Sequence, residues 1–292
     1  MQSGTFEILK NSVALDLSDL SNFVLENYEG FGMAPLRRIT ERGPLQHGQS
    51  DVGYRLEPRL IQLVLALRST SWIGFYARRQ ELLNHFSPVD DSPIILRFTQ
   101  PDGTVRQIDG YVIDGPDFPK QSAVRSLVQR VALRISCPDP AWYDPTRQSV
   151  RIVGVTGGSG FTFPMIVPWT FGGATVNSET TINYAGTWLE YPEIQIVGPI
   201  QDARIEHVDS GDVLDFDGNT IADGDSYTID LRYGYKTIVD SAGGNQIAKL
   251  TADSDLATWH MSPGENNLHI TGASADTTTA IVLRWYNRYL GV

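Results

Sequence analysis

The strongest constraint on this chain is the two-residue period of its apolar side chains. In "RLIQLVLALRS", Ile61, Leu63, Leu65 and Leu67 fall on one face, with Leu60, Val64 and Ala66 on the other. Successive strand residues point to opposite faces, so this pattern predicts a strand buried largely on both sides. "RSLVQRVALRISC" sets Leu127, Val131, Leu133, Ile135 and Cys137 against Arg130, Arg134 and Ser136. Cys137 shares the apolar register, which makes it a small core residue and not a nucleophile. "IILRFTQPDGTVRQIDGYVI" reads as a hairpin with arms Ile95–Phe98 and Val105–Val112, turning at Pro101-Asp102-Gly103.

One helix interrupts the strands. In "TSWIGFYARRQELLNHFSP", Trp72, Phe75, Tyr76, Leu82, Leu83 and Phe86 recur at helical spacing. Thr70 or Ser71 caps the start and Pro88 closes the end. The face carrying Trp72, Phe75 and Tyr76 belongs either to the core or to a subunit interface.

At "CPDPAWYDP" the texture changes. Pro138, Pro140 and Pro145 fix φ and interrupt regular structure. We read Pro138, Asp139, Pro140, Trp142, Tyr143 and Pro145 as a structural joint, with the Trp142-Tyr143 pair packing it against one domain. On that reading Trp142→Ala loosens the angle between domains without unfolding either. Beyond the joint Gly, Thr, Asn and Ser rise, and short strands recur between turns: "SVRIVGV", "TTINYAG", "PEIQIVG", "ARIEHV", "VLDFDG", "SYTIDLRYG", "NNLHITG" and "TAIVLRWYNRYLGV". That spacing predicts an all-β sandwich of jelly-roll type. The expected fold is mainly β with one helix. Residues 1–144 form an N-terminal β-rich domain, with strands, the helix and a hairpin, and residues 145–292 form a C-terminal β-sandwich. A chain of 292 residues has room for two such cores.

Charge and chemistry narrow the function. A net charge of −11, with basic pairs only at Arg37-Arg38 and Arg78-Arg79, lacks the clustered cations of a nucleic-acid footprint. The single cysteine excludes an internal disulfide framework and any multi-cysteine metal site. No secretory signal opens the sequence. "LIQLVLAL" is too short to span a membrane, so cytoplasmic synthesis is expected. Asp215, Asp217 and Asn219 match the start of a calcium loop, but Thr220 and Ser226 stand where Gly and a bidentate Glu are required, and a β-turn is the better reading. "GGSGF" at 157–161 lacks the Gly-Lys-Ser/Thr ending of a phosphate loop. His207 and Asp209 are the nearest approach to an acid–base couple. We therefore assign no catalytic, cofactor-binding or metal residue, and read the chain as non-enzymatic.

In order, these features resemble the distal tail proteins of long-tailed bacteriophages, the siphovirus-type tail protein family. Four stretches carry the resemblance: the strand, helix and hairpin series from Arg59 to Val112; "VALRISCPDPAWYDP"; "GGSGFTFPMIVPWTFGG" followed by "INYAGTWLEYPEIQIVGP"; and "ATWHMSPGENNLHITG…TAIVLRWYNRYLGV". The extended, Arg-bearing "FGMAPLRRITERGPLQHGQSDVGYRLEPR" also fits. The resemblance implies a virion protein of the tail tip or baseplate, assembled in the host cytoplasm. It implies a homo-hexamer whose N-terminal domains close a ring around the DNA channel, with galectin-like C-terminal domains outside. Its implied partners are the tail tube protein, the tail-tip hub and receptor-binding proteins. DNA passes without specific binding, which an acidic protein suits.

Two further readings stand beside it. A carbohydrate-binding module or adhesin would stack sugars on exposed aromatics such as Trp169, Trp188 and Trp259. A β-sandwich hydrolase would need a convergent Asp/Glu pair that no motif identifies.

Overall fold

The computed structural model describes residues 4–18, 22–119, 127–153, 155–156 and 174–292. The chain divides into two compact units: Met1–Pro145 with Tyr289–Val292, and Thr146–Arg288. The expected boundary fell between residues 144 and 145, and the second domain was expected to run to Val292. Residues Tyr289–Val292 instead belong to unit 1, for reasons that its hydrogen bonds supply below.

Unit 1 is built from β1 (Thr5–Lys10), β2 (Val13–Asp16), β3 (Phe23–Glu29), β4 (Leu36–Glu41), β5 (Ser50–Leu56), β6 (Arg59–Arg68), α1 (Trp72–His85), β7 (Ile94–Thr99), β8 (Val105–Asp117), β9 (Val128–Cys137) and β10 (Trp142–Tyr143). The main sheet runs β2-β1-β7-β8-β9-β6-β3, with β10 attached to β8. Its centre is the β6–β9 pair, in continuous antiparallel register from Arg59↔Cys137 to Arg68↔Val128. One face does what the alternation predicts, with Ile61, Leu63, Leu65, Val131, Leu133, Ile135 and Cys137 buried in one cluster with Ile8, Leu82 and Trp142. On the other face of β6 only Ala66 is buried, whereas Leu60 and Val64 are half-buried and Gln62 is exposed.

Strand β8 changes partner midway. Its first half pairs with β7, as the predicted hairpin requires, and from Tyr111 onward it pairs with β9 through two register shifts. Gly110 sits at the change. A Cβ there would lie 2.6 Å from Ile135 Cγ2 and 3.0 Å from Cys137 Sγ, so the close approach admits only glycine.

Helix α1 starts where Ser71 Oγ accepts the Gly74 N–H at 3.1 Å, an N-cap of the expected kind. Only part of the aromatic stripe is buried. Phe75, Leu82 and Phe86 enter the core, while Trp72, Tyr76 and Leu83 are exposed.

Unit 2 contains β11 (Gln148–Ile152), β12 (Val155–Thr156), β13 (Ala174–Tyr184), β14 (Glu193–Val197), β15 (Ile200–His207), β16 (Asp212–Asp215), β17 (Thr220–Ile221), β18 (Ser226–Asp230), β19 (Thr237–Asp240), β20 (Gly264–Ala275) and β21 (Ala280–Trp285). One sheet has the order β11-β21-β14-β18-β19; the other runs β12-β13-β20-β15-β16, with β17 on β15. Ile194, Ile196, Ile229 and Leu283 of the first share one buried cluster with Ile182, Ile205, Leu268 and Ile270 of the second. Two antiparallel sheets closing on a common apolar layer make a β-sandwich. The sequence reading missed β17 and β19, which are short and flanked by Asp and Gly.

Candidate functional site

Two of the joint residues, Pro140 and Trp142, contact a buried cation. Arg59, at the start of β6, is 1% exposed. Its Nε donates to the Pro140 carbonyl at 2.9 Å, Nη1 to Gly30 at 2.6 Å and also to Gly32, and Nη2 to Leu290 at 2.7 Å. The guanidinium also lies over the Trp142 ring, 5.9 Å from its centroid. Burial pulls its pKa down, opposed by Cys137. The planar fork of donors suits arginine to this position: its three separated nitrogens reach four carbonyls from three segments, whereas a lysine has one nitrogen with three donors.

Those bonds help hold residues 289–292 on unit 1. Val292 N–H donates to Phe31 at 3.2 Å, Arg106 Nη1 donates to Gly291 at 2.9 Å, and Tyr289 Oη donates to Asp144 Oδ2 at 3.1 Å. Arg106 also stacks on the Tyr289 ring at 3.7 Å. Every one of these contacts falls inside unit 1.

Of the joint, Trp142 is fully buried and 5.3 Å from the Phe31 ring, so it is a core residue of unit 1. The ring packs the joint against unit 1, as expected, and a tryptophan with no exposed surface cannot be removed without a destabilising cavity. Tyr143 pairs with Gln107 across β10 and β8, and its hydroxyl donates to Asp109 at 2.6 Å. The prolines thus do not exclude all regular structure. Asp139 Oδ1 accepts the Ala141 N–H at 3.2 Å, turning the chain between Pro138 and Pro140. Pro145 ends unit 1.

The residues considered for chemistry are bound up in structure. Cys137 is buried, and burial pushes its thiol up to about 12, which leaves negligible thiolate at neutral pH. Asp215 pairs with Arg204 at 3.1 Å, and Asn219 Nδ2 donates to the carbonyls of Asp217 and Lys249, both at 3.0 Å. Among the described residues no group of three or more His, Cys, Asp or Glu side chains could hold a metal. His207 Nε2 meets Asn266 Oδ1 at 3.0 Å, while Asp209 accepts the Asn267 backbone N–H at 2.7 Å. The two are therefore not an acid–base couple.

The proposed sugar-stacking tryptophans fare no better. Trp259 is wholly buried, edge-on to His207 at 5.6 Å, and Trp188 is half-buried. Trp169 and the "GGSGF" cluster lie outside the described residues. Among the described residues, the exposed aromatics of unit 2 are Tyr233 and Tyr235, flanked by Arg232 and Lys236. Sequence reading missed them because burial, not residue type, decides which aromatic is available.

Surface character separates the units. Among the described residues, every exposed large apolar side chain lies in unit 1 except Val153, Val208, Tyr233, Tyr235 and Ile247. They concentrate on α1, through Trp72, Ile73 and Tyr76, and on the β4–β5 hairpin, which forms a two-stranded sheet of its own. Exposed apolar side chains concentrated on two elements make them candidates for an interaction face. No helix among the described residues is long and apolar enough to cross a membrane.

No family model matches the chain, and no curated protein matches it in sequence. Solved structures do. The Dit protein of phage SPP1, described as a paradigm of the hub adsorption apparatus of phages infecting Gram-positive hosts, matches with a TM-score of 0.65 and 13% identity, over 97% of this chain and 98% of that one. Chains of the phage P2 baseplate in its activated conformation, with Ca and with Sr, match at TM-scores of 0.49 and 0.47 and identities of 11% and 10%, over 96% of this chain and 97% of theirs. Over 97% of its length, the chain shares the fold of the SPP1 Dit protein.

Proposed function

We propose that this chain is a non-enzymatic structural protein of a phage tail tip or baseplate. In this reading six copies close a ring through unit 1, and the ring joins the tail tube to the tail-tip hub around the DNA channel. Unit 2 serves as a galectin-like module. The observation that carries the reading is a fold shared with the SPP1 Dit protein over nearly the whole of both chains. The apolar surface of unit 1 supports it, because closed oligomers bury such surface between copies.

Native mass spectrometry over a concentration series, with negative-stain imaging of large species, tests the proposal. Hexamers or paired hexamers with a central hole are expected; a protein that binds no tail tube or hub component and forms no ring overturns it.

A second reading rests on Tyr233 and Tyr235. Both are exposed. Tyr233 hydrogen-bonds Tyr191 through their hydroxyls at 2.9 Å, and Arg232 lies 4.5 Å from the Tyr235 ring centroid. Held rings beside polar groups suit saccharide stacking. Glycan-array binding lost in Tyr233→Ala and Tyr235→Ala would favour this role, in addition to or in place of the ring.

A further inference from the structure

We infer that the β4–β5 hairpin is an arm that docks into a groove on unit 1 of a second copy, the groove between α1 and the β1–β2 turn. The inference rests on the ring reading and names the contact that would make the ring.

Among the described residues the arm joins no other sheet of its own chain. A two-stranded sheet alone is marginal in water. Yet among the described residues β4 and β5 pair only with each other, and every residue of β4 is exposed. The turn between them carries Leu45 at 95% exposure, and Ile39, Val52 and Tyr54 are exposed along the strands. So much uncovered apolar surface on a marginal element points to a partner that covers it.

The groove is the complementary feature. It encloses about 820 Å³ and is lined by Val13, Ala14 and Ala77, with Glu81, His85 and Asp90 among its polar groups. Val13 is 62% exposed, so an apolar wall stands open to water. His85 Nε2 is buried and has no hydrogen-bond partner. Burial lowers the His85 pKa, opposed by a hydrogen bond with the Ile8 backbone.

Charge selects a second copy as the occupant. Residues 36–56 carry four arginines against Glu41 and Asp51, in a chain whose net charge is −11. The groove carries Glu81 and Asp90 against Lys10, so a cationic arm from another copy meets an acidic lining. Arm and groove are different surfaces of the same unit, so the contact is heterologous. Such contacts propagate around an axis and close into rings when the rotation allows.

Three surface variants test this. Leu45→Asp disables the arm, and Ala77→Arg fills the groove. Both positions are exposed, so folding is unaffected. Each variant alone should fail to form the wild-type oligomer in sedimentation velocity. An equimolar mixture should stop at dimers, because only one sound junction is left per mixed pair. For weak contacts, Leu45→Cys protein mixed with Val13→Cys protein should form the mixed disulfide about tenfold faster than either symmetric one, reflecting raised effective concentration. Oligomers that survive both Leu45→Asp and Ala77→Arg, or a mixed disulfide no faster than the symmetric ones, overturn the arm-and-groove contact and leave the ring standing. A selective mixed disulfide in a protein that never forms wild-type rings supports the contact and overturns the free-standing ring instead.

Discussion

Arg59 and Leu290 are joined by a 2.7 Å hydrogen bond across 231 residues of sequence, guanidinium Nη2 to backbone carbonyl. The same side chain holds Gly30, Gly32 and Pro140, so one buried cation organises the base of the β4–β5 arm, the joint and residues 289–292. Replacing Arg59 by Leu leaves those carbonyls without their donor in a closed interior. Each buried carbonyl left without a donor costs about 1–3 kcal/mol. Arg59→Lys keeps the charge but not the fork, and should recover only part of the loss in denaturant unfolding of unit 1.

Trp142 is the second support of the same region. Trp142→Ala should destabilise unit 1 by about 3–5 kcal/mol through lost burial and the cavity that remains. Trp142→Phe should recover a large part of this. Chemical denaturation distinguishes the outcomes: an unchanged midpoint for Trp142→Ala would contradict the burial of this ring.

Cys137 gives a pH signature. Its folded pKa is raised from the ordinary 9.0 to about 12 by burial, so the folded state resists forming the thiolate that the unfolded chain forms freely. This contribution is fully present below pH 9 and is lost as pH rises toward 12, with a slope of at most about 1.4 kcal/mol per pH unit. Cys137→Ala should abolish that part of the slope. At pH 8 a thiol reagent should label the folded wild type far more slowly than the unfolded chain.

Trp72 and Tyr76 separate assembly from folding. Both are exposed on α1, whereas Phe75 between them is buried. The double substitution Trp72→Ala with Tyr76→Ala should change stability by less than about 1 kcal/mol, as surface changes do. If this face is part of a subunit contact, the same variant shifts the oligomer distribution in native mass spectrometry. Phe75→Ala should do the reverse, lowering stability first.

Alternation in β6 and β9 is a local property, since each side chain's face follows from its neighbour's, and both strands were legible from residues 59–68 and 128–137. The capped start of α1 and the turn at Pro101-Asp102-Gly103 were legible for the same reason: a few adjacent residues decide them. The sandwich nature of the second half followed from its many short strands.

Other features depend on what lies opposite, which no local pattern encodes. Phe75 and Tyr76 are adjacent aromatic residues, and only the packing of α1 on the sheet makes one buried and the other exposed. Trp259 reads like any other tryptophan until the core closes over it. Residues 289–292 look like the end of the last strand of the sandwich. Their place in unit 1 depends on carbonyls accepting from Arg59 and Arg106, and a backbone acceptor leaves no mark in residue identity. The sequence by itself thus determined the elements and the class of fold, through periodicity and turn chemistry. The tertiary structure decided which side chains remained at the surface, because burial is a relation between distant segments.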